Sequence, residues 1–460
     1  MPTYRFLNQP TVSAWLAEYH AVVVEQSPGQ PLLPARQALV LMVLATAVFL
    51  QADDKTEASE PYFQMAETQL ARESGKVRIE SAQARLAMCL YLLHTSRPNQ
   101  AWYVFGVTVQ LIRALGMHRA RPSTSELDAI TAECRKRTFW AAFSLDTYLS
   151  CILGRPALIH VDDVDQQFPA VVDDDEITGT GIVSNGMHRD PVIQGSIYHS
   201  KITGMARKAL REQYSVHNRS DAHKLEVATR LNSELADWKS SLPVILSGAV
   251  HPSSLVQIFQ RQIVVLQMAH SLALILVNRP LLLVDRSIDN KANAHACLSA
   301  ARCILDTVAG FVANRKTFPA FWFTQFVTFN ALSIVYIWLI QRQRDEELYG
   351  TAESIQKHLA EATISNAPNL RYSIILEELQ QETRRLMGRK YQTHSLLPKE
   401  LHPSPSGGHP YAAPQNLAEN CSSANDPGSS SWDSLNDDFQ FDSDIFLQLD
   451  AFPFRTYLDV

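Results

Sequence analysis

Paired cysteines are the first thing this sequence lacks. Six cysteines occur, Cys89, Cys134, Cys151, Cys297, Cys303 and Cys421, and no two of them make a C-x-x-C motif. That spacing excludes a binuclear zinc cluster, which needs six closely spaced thiolates in two C-x-x-C-x6-C halves to hold two zinc ions. A disulfide framework is not expected either, given where these thiols stand. Most of these thiols sit in apolar, helix-patterned surroundings and read as reduced core residues of an intracellular protein. Basic charge is scarce as well, with 41 Lys and Arg against 47 Asp and Glu, a net charge of -6. A chain that held nucleic acid on its own surface would carry a basic excess. The longest basic run is Arg135-Lys136-Arg137, which reads as a solvated helix face or as salt-bridge partners. No apolar leader opens the chain, since Met1 to Pro10 is polar. Alternating strand pattern is almost missing before Met387, and no fixed-period repeat runs through the chain.

Catalytic motifs are equally thin. There is no G-x-S-x-G elbow. Gly179-Thr180-Gly181 has neither a preceding strand nor a following Lys-Ser/Thr pair, so it reads as a loop rather than a phosphate cradle. His118, His199 and His270 stand apart in helical contexts as ordinary imidazoles. Asp162-Asp163-Val164-Asp165 could suggest a hard-cation site on an all-helical scaffold, as in a terpene-synthase-like diphosphate enzyme. It lacks D-D-x-x-D spacing and follows a Gly-Arg-Pro turn, so these carboxylates read as turn caps or partners of Arg155. No catalytic, cofactor-binding or metal-binding residue is assigned, and the chain reads as a non-enzyme.

What is present is helix. Arg36 to Gln51, Glu60 to Ser74 and Ile79 to Thr95 follow a lead-in over residues 1–35 with one short helix near Val12 to Val24. After the central pair described next, residues 170–190 read as a mobile surface excursion rich in Asp and Gly. Helical pattern resumes over Val192 to Tyr214, Ala222 to Ser241, Ser254 to Asn278, Asn290 to Asn314, Phe318 to Glu346 and Ala352 to Arg385. The apolar run Phe318 to Ile340 is long enough to span a bilayer. Gln325, Asn330 and Ser333 interrupt it, and a buried helix is expected there, with no membrane contact.

The chain is organised around Ala101 to Pro169. Trp102, Phe105, Val109, Ile112 and Leu115 recur at helical spacing, Gly106 leaves room for a neighbouring element, and Gly116 stands where a left-handed cap falls. A second helix, starting near Ser123 or Thr131, is apolar nearly all round and stops at Leu153-Gly154-Arg155-Pro156. Ser123 with Glu126 has capping-box spacing. These residues resemble the middle regulatory domain of fungal zinc-cluster transcription factors. The resemblance is carried by Trp102, Gly106, Gly116 and His118, then Arg137, Trp140 and Asp146, then Gly154, Arg155, Pro156, Asp163 and Pro169. Asn278-Arg279-Pro280-Leu281 resembles a second Arg-Pro signature, and the likeness runs over residues 60–340.

The resemblance implies a transcription regulator of RNA polymerase II genes in a fungal nucleus, built on a large all-α domain. The family's DNA-binding element is a binuclear zinc cluster with six closely spaced cysteines, and these 460 residues contain no such arrangement. Zinc is expected only in a longer form that carries the cluster. DNA contact is expected through that cluster or through a partner, which leaves a DNA-binding-deficient co-regulator or decoy as the alternative. Arg155 is expected to pair with Asp146 or Asp162, or else to contact an anionic inducer. Phe139, Trp140, Phe143, Trp322, Phe323 and Trp338 could line a pocket for a small-molecule effector.

The domain boundaries read as a regulatory domain over 36–388, a disordered linker over 389–431 and an acidic segment over 432–460. In that last segment Trp432, Leu435, Phe439, Phe441, Ile445, Phe446 and Leu449 are interleaved with aspartates. Charge keeps the apolar groups solvated until a coactivator groove takes them up.

Overall fold

A computed structural model describes residues 2–25, 31–51, 55–73, 75–120, 127–183, 190–217, 219–283, 290–313, 322–341, 345–363 and 370–394. The linker and the acidic segment, with Trp432 to Leu449, lie outside the described residues. So do Ser123 and Glu126. Among the described residues the fold is all-α, as the periodicity predicts, with a single two-residue hairpin pairing Ile177–Thr178 with Gly181–Ile182.

The first half contains α1 (Gln9–Tyr19), α2 (Pro34–Gln51), α3 (Lys55–Ala71), α4 (Ile79–His94), α5 (Pro98–Ala114) and α6 (Ala129–Leu153). A single π-helical turn, His20–Val24, continues α1. The helices pack pairwise, α2 on α3 and α4, α4 on α5, and α5 on α6. Punctuation in the sequence explains their limits. Pro98 opens α5, where its missing N–H costs nothing. Gly116 closes it at φ 64°, with Met117 N–H bonded to Ile112 O and Gly116 N–H to Arg113 O. That is a Schellman cap, which satisfies carbonyls the helix leaves open. Asp128, rather than Ser123 or Thr131, caps α6, its carboxylate accepting from Thr131 N at 3.0 Å. Gly154 ends α6 in the left-handed region at φ 62°.

The second half contains α7 (Ile193–Gln213), α8 (Asp221–Ser240), α9 (Gln257–Asn278), α10 (Lys291–Ala313), α11 (Trp322–Gln341), α12 (Glu346–Thr363) and α13 (Leu370–His394). Here α7 lies against α6, α8 and α9, while α11 packs on α9, α10, α12 and α13. Among the described residues, four helices are long and apolar enough to cross a membrane by length and composition. For α11, however, 78% of the apolar window is buried inside the protein. Its all-round apolar surface is matched by helices on every side, which is how a central core helix reads.

Two parts of the chain are held more tightly than their composition suggests. The N-terminal segment threads into the core: Tyr4 and Phe6 are buried, Phe6 O accepts from Gln83, and Pro2 O accepts from Gln262 of α9. The excursion after Pro169 is pinned to α6. Asp174, in a 3₁₀ turn, pairs with buried Arg137 and accepts from Gln9 N at 2.8 Å, while Ile177 is buried. The expectation of a loose surface loop is corrected over residues 171–183; an ion pair out of water and a buried isoleucine hold it down.

Candidate functional site

The polar centre of the domain is Asp146, buried on α6. The Gly154-Arg155-Pro156 turn sends the chain back across α6, bringing the Leu158 and Ile159 N–H groups to the Asp146 carboxylate, each at 2.9 Å. Arg207 of α7 completes the arrangement, with Nη2 donating to Asp146 Oδ2 at 2.8 Å. Its Nε donates to Thr147, Nη1 to the Ile159 carbonyl, and Nη2 to the Phe143 carbonyl as well. The guanidinium also lies over the Phe143 ring, 4.1 Å from its centroid. Burial lowers the Arg207 pKa, and Asp146 opposes that shift. A fork of rigid donors suits such a junction, because each N–H meets a fixed acceptor. One ion pair thereby locks α6, α7 and the returning loop.

Arg155 therefore does not pair with Asp146 or Asp162. Its Nη2 donates to Asn99 Oδ1 at 2.8 Å, and its guanidinium stacks 4.5 Å from the Trp102 centroid, while its Nη1 has no hydrogen-bond partner. The carboxylate expected for it is taken by Arg207, which local spacing could not bring forward because it comes from another helix. Asp165 is likewise engaged, pairing with Arg119 at 3.0 Å and accepting from Ala120 N at 2.7 Å.

The other signature residues serve the same junction or the elements beside it. The His118 carbonyl accepts the Asp165 and Gln166 N–H groups. Trp140 Nε1 donates to Gln167 O at 2.9 Å, and its ring stacks on Phe168 at 4.2 Å. Asp163 sits in the 3₁₀ turn Val161–Asp163 and lines a small cavity with His118 and His160. Pro169 lines another small cavity beside Arg137. In Arg135-Lys136-Arg137, Arg137 and Lys136 take the salt-bridge role, with Asp174 and Glu133, while buried Arg135 donates to the Leu115 carbonyl. Arg279 lies over the Tyr214 ring at 5.0 Å, and Pro280 sits in the 3₁₀ turn Arg279–Leu283. Gly106 departs from its expected role, since nothing stands within 4 Å of where its Cβ would be. The close approach occurs at Gly195 instead, where a Cβ would fall 2.3 Å from Gln262 Cδ.

Above this junction lies an open cleft of about 1030 Å³, bounded by α6, α7, α8 and the loop from Arg155 to Asp162. Trp140, Phe143, Phe168, Met205 and Trp238 give it an apolar lining. Of the aromatics expected at a pocket, only Trp140 and Phe143 reach it. Trp322 and Phe323 pack on Tyr148 in the core, Trp338 lies against His295, and buried Phe139 faces the small cavity near His118. One wall is a charge network in which Lys208 pairs with Glu234 at 2.7 Å and Arg230 with both Glu212 and Glu234. Trp238, Lys201 and Met205 were not legible as site residues, because each stands in an unremarkable amphipathic helix. Neighbouring Tyr148 donates to or accepts from buried His199 at 2.9 Å, and burial holds the His199 pKa down at about 3.

Comparison with known proteins bears on this architecture directly. The model of the fungal specific transcription factor domain matches residues 1–240, just over half of the chain. The chain belongs to the fungal-specific transcription factor family. The matched region holds the whole Trp102 to Pro169 signature, Arg207 and all of the cleft lining but Ser241, and it leaves Asn278 to Leu281 outside. A transcriptional regulatory protein of Saccharomyces cerevisiae is 27% identical over 256 residues, covering 53% of this chain and 33% of its own length. Activator of stress genes 1 of the same yeast is 24% identical over 277 residues, 58% of this chain and 28% of its own. An ABC-transporter-regulating transcription factor of Aspergillus fumigatus is 30% identical over 164 residues, 36% and 18%. This fungal-specific transcription factor domain chain thus spans a third or less of the length of these relatives.

Proposed function

We propose that this chain is the regulatory part of a fungal transcription regulator acting in the nucleus on RNA polymerase II genes. The observation that carries the reading is the family match over residues 1–240, supported by relatives named as transcriptional regulators or activators. In this reading the helical unit, residues 36–388 with the threaded N-terminal segment, is the controlled element, and it works without catalysis. The segment 432–460, with Trp432, Phe439, Phe441 and Phe446 among aspartates, recruits coactivator by docking apolar side chains that charge keeps in solution. The signature residues Trp102 to Pro169, and Arg279 with Pro280, are architectural; they hold the cleft rather than contact DNA.

DNA contact is assigned to a zinc cluster outside these 460 residues, in a longer form of the chain or on a partner, since no six-cysteine arrangement occurs here. That same observation favours a second reading, a co-regulator that joins or titrates cluster-bearing relatives. Reading the native transcript upstream of Met1 in frame separates the two: six closely spaced cysteines support the first, and a stop codon without them supports the second. The regulatory reading itself is tested by fusing the chain to a heterologous DNA-binding domain above a reporter gene. Reporter output should change severalfold, and removing 432–460 should abolish any rise. A fusion that is abundant and nuclear but leaves the reporter unmoved in both directions would count against it.

A further inference from the structure

The cleft between α6, α7 and α8 has the size and chemistry of a ligand site. Its volume of about 1030 Å³ falls at the upper end of the range of small-molecule pockets, roughly 300–1,000 Å³. Its walls offer an aromatic surface in the Trp140 and Phe168 rings, stacked on one another, with buried Trp238 of α8 behind them. Its charges divide into two groups. Arg207, Lys208 and Arg230 are matched by carboxylates of the chain itself, Asp146, Glu234 and Glu212. Lys201, Arg211 and Arg155 also line the cleft, and none makes an ion pair with a carboxylate among the described residues. Lys201 Nζ stands 4.8 Å from the Tyr198 centroid and 5.7 Å from that of Phe168, so it sits at the edge of the aromatic floor.

We propose that this cleft binds a flat, apolar small molecule carrying a single carboxylate, its ring on the Trp140–Phe168 stack and its carboxylate at Lys201. Lys201 is exposed, so its ammonium reaches an anion at the cleft mouth while its cation–π contacts with Tyr198 and Phe168 keep it beside the aromatic surface. The site is built for one negative charge. Lys201 and Arg211 are ten residues apart on α7, about 15 Å along the axis, and so do not converge on one multiply charged group. Asp162 and Asp237 line the same cleft and repel a second negative charge. Binding is a property of the cleft alone; its meaning as effector recognition rests on the regulatory reading above.

The test uses the full chain and the fluorescent aromatic anion 1-anilinonaphthalene-8-sulfonate, with 1-naphthaleneacetate and 1-naphthaleneacetamide as competitors. The dye should bind one saturable site, and the acid should displace it about tenfold better than the neutral amide, the worth of one charge-assisted contact. Lys201→Gln, an exposed position, should bring acid and amide within about threefold of one another. Met205→Trp, which fills the cleft from its half-buried place on α7, should abolish displaceable dye binding while the thermal midpoint stays near that of the parent chain. Equal displacement by acid and amide overturns the proposal. So does dye binding that survives Met205→Trp, keeps its acid preference in Lys201→Gln, or never saturates. The reporter fusion reads the regulatory claim separately: an active fusion whose chain fails to bind the acid sinks the ligand and leaves the regulator standing.

Discussion

At the scale of the residue, two arginines near one turn do different work. Arg207 is buried and spends its donors on Asp146, Thr147 and two carbonyls, whereas Arg155 rests half-buried on Trp102 and Asn99. Removing one partner of a buried pair strands the other charge, at a cost of about 3–5 kcal/mol. Asp146→Ala should therefore lower the free energy of unfolding by that much in urea titration. Arg155→Ala should cost only about 1 kcal/mol, for one hydrogen bond and one cation–π contact. Two histidines set the acid limit. Burial holds His199 down at about 3 and, with help from nearby Lys239, His270 at about 4, against an ordinary value of 6.5. Below about pH 6.5 the unfolded chain takes up protons that the native chain refuses. Stability is thus fully present above that pH and falls as pH drops toward 3–4, by up to about 1.4 kcal/mol per pH unit per histidine. Unfolding midpoints measured from pH 7 to pH 4 should show this slope, and His199→Gln should flatten it.

At the scale of the element, glycine position separates the caps from the contacts. Gly154 closes α6 at φ 62°, so Gly154→Ala should cost about 1–2 kcal/mol from left-handed strain alone. Gly195 and Gly106 make an opposed pair. A methyl at Gly195 would meet Gln262, whose amide is bonded to Pro2 and Val192 carbonyls and cannot easily move. Gly195→Ala should destabilise by about 1–3 kcal/mol through overpacking of α7 against α9. A methyl at Gly106 meets open space, and Gly106→Ala should stabilise α5 by about 0.5–1 kcal/mol through reduced chain entropy. Thermal or urea unfolding of the two variants side by side reads both signs. Pattern alone points to Gly106, because a glycine in an aromatic helix looks like a contact; only the packing of α7 on α9 shows which glycine is one.

At the scale of the whole molecule, the N-terminal segment is part of the core. Tyr4 stands edge-on to His199, and Phe6 is buried beside the Gln83 amide that its carbonyl accepts. These contacts tie the start of the chain to α4, α7 and α9 at once. Phe6→Ala should accordingly cost about 3–5 kcal/mol, the usual range for a buried phenylalanine, and lower the midpoint of a single cooperative unfolding transition. Two separate transitions, with only the minor one shifted, would show instead that this segment docks on a domain that is complete without it. Of the helices that form the cleft, α7 is the one these contacts reach, through Tyr4 and His199.

Taken alone, the sequence determined the local structure: an all-α chain, helices closed by Gly116 and Gly154 and opened by Pro98, and a signature from Trp102 to Pro169 specific enough to place the family. Helical period, capping residues and proline are short-range constraints, so they are written in neighbouring residues and can be read there. The tertiary structure decided the partners. Asp146 could meet Arg155 by proximity along the chain, yet it meets Arg207, 61 residues away. Six aromatics could line a pocket, yet two do, because helix rotation turns Trp322 and Phe323 onto Tyr148. A buried charge takes whichever opposite charge the packing brings to it with the best geometry, and no local pattern records which helix that will be.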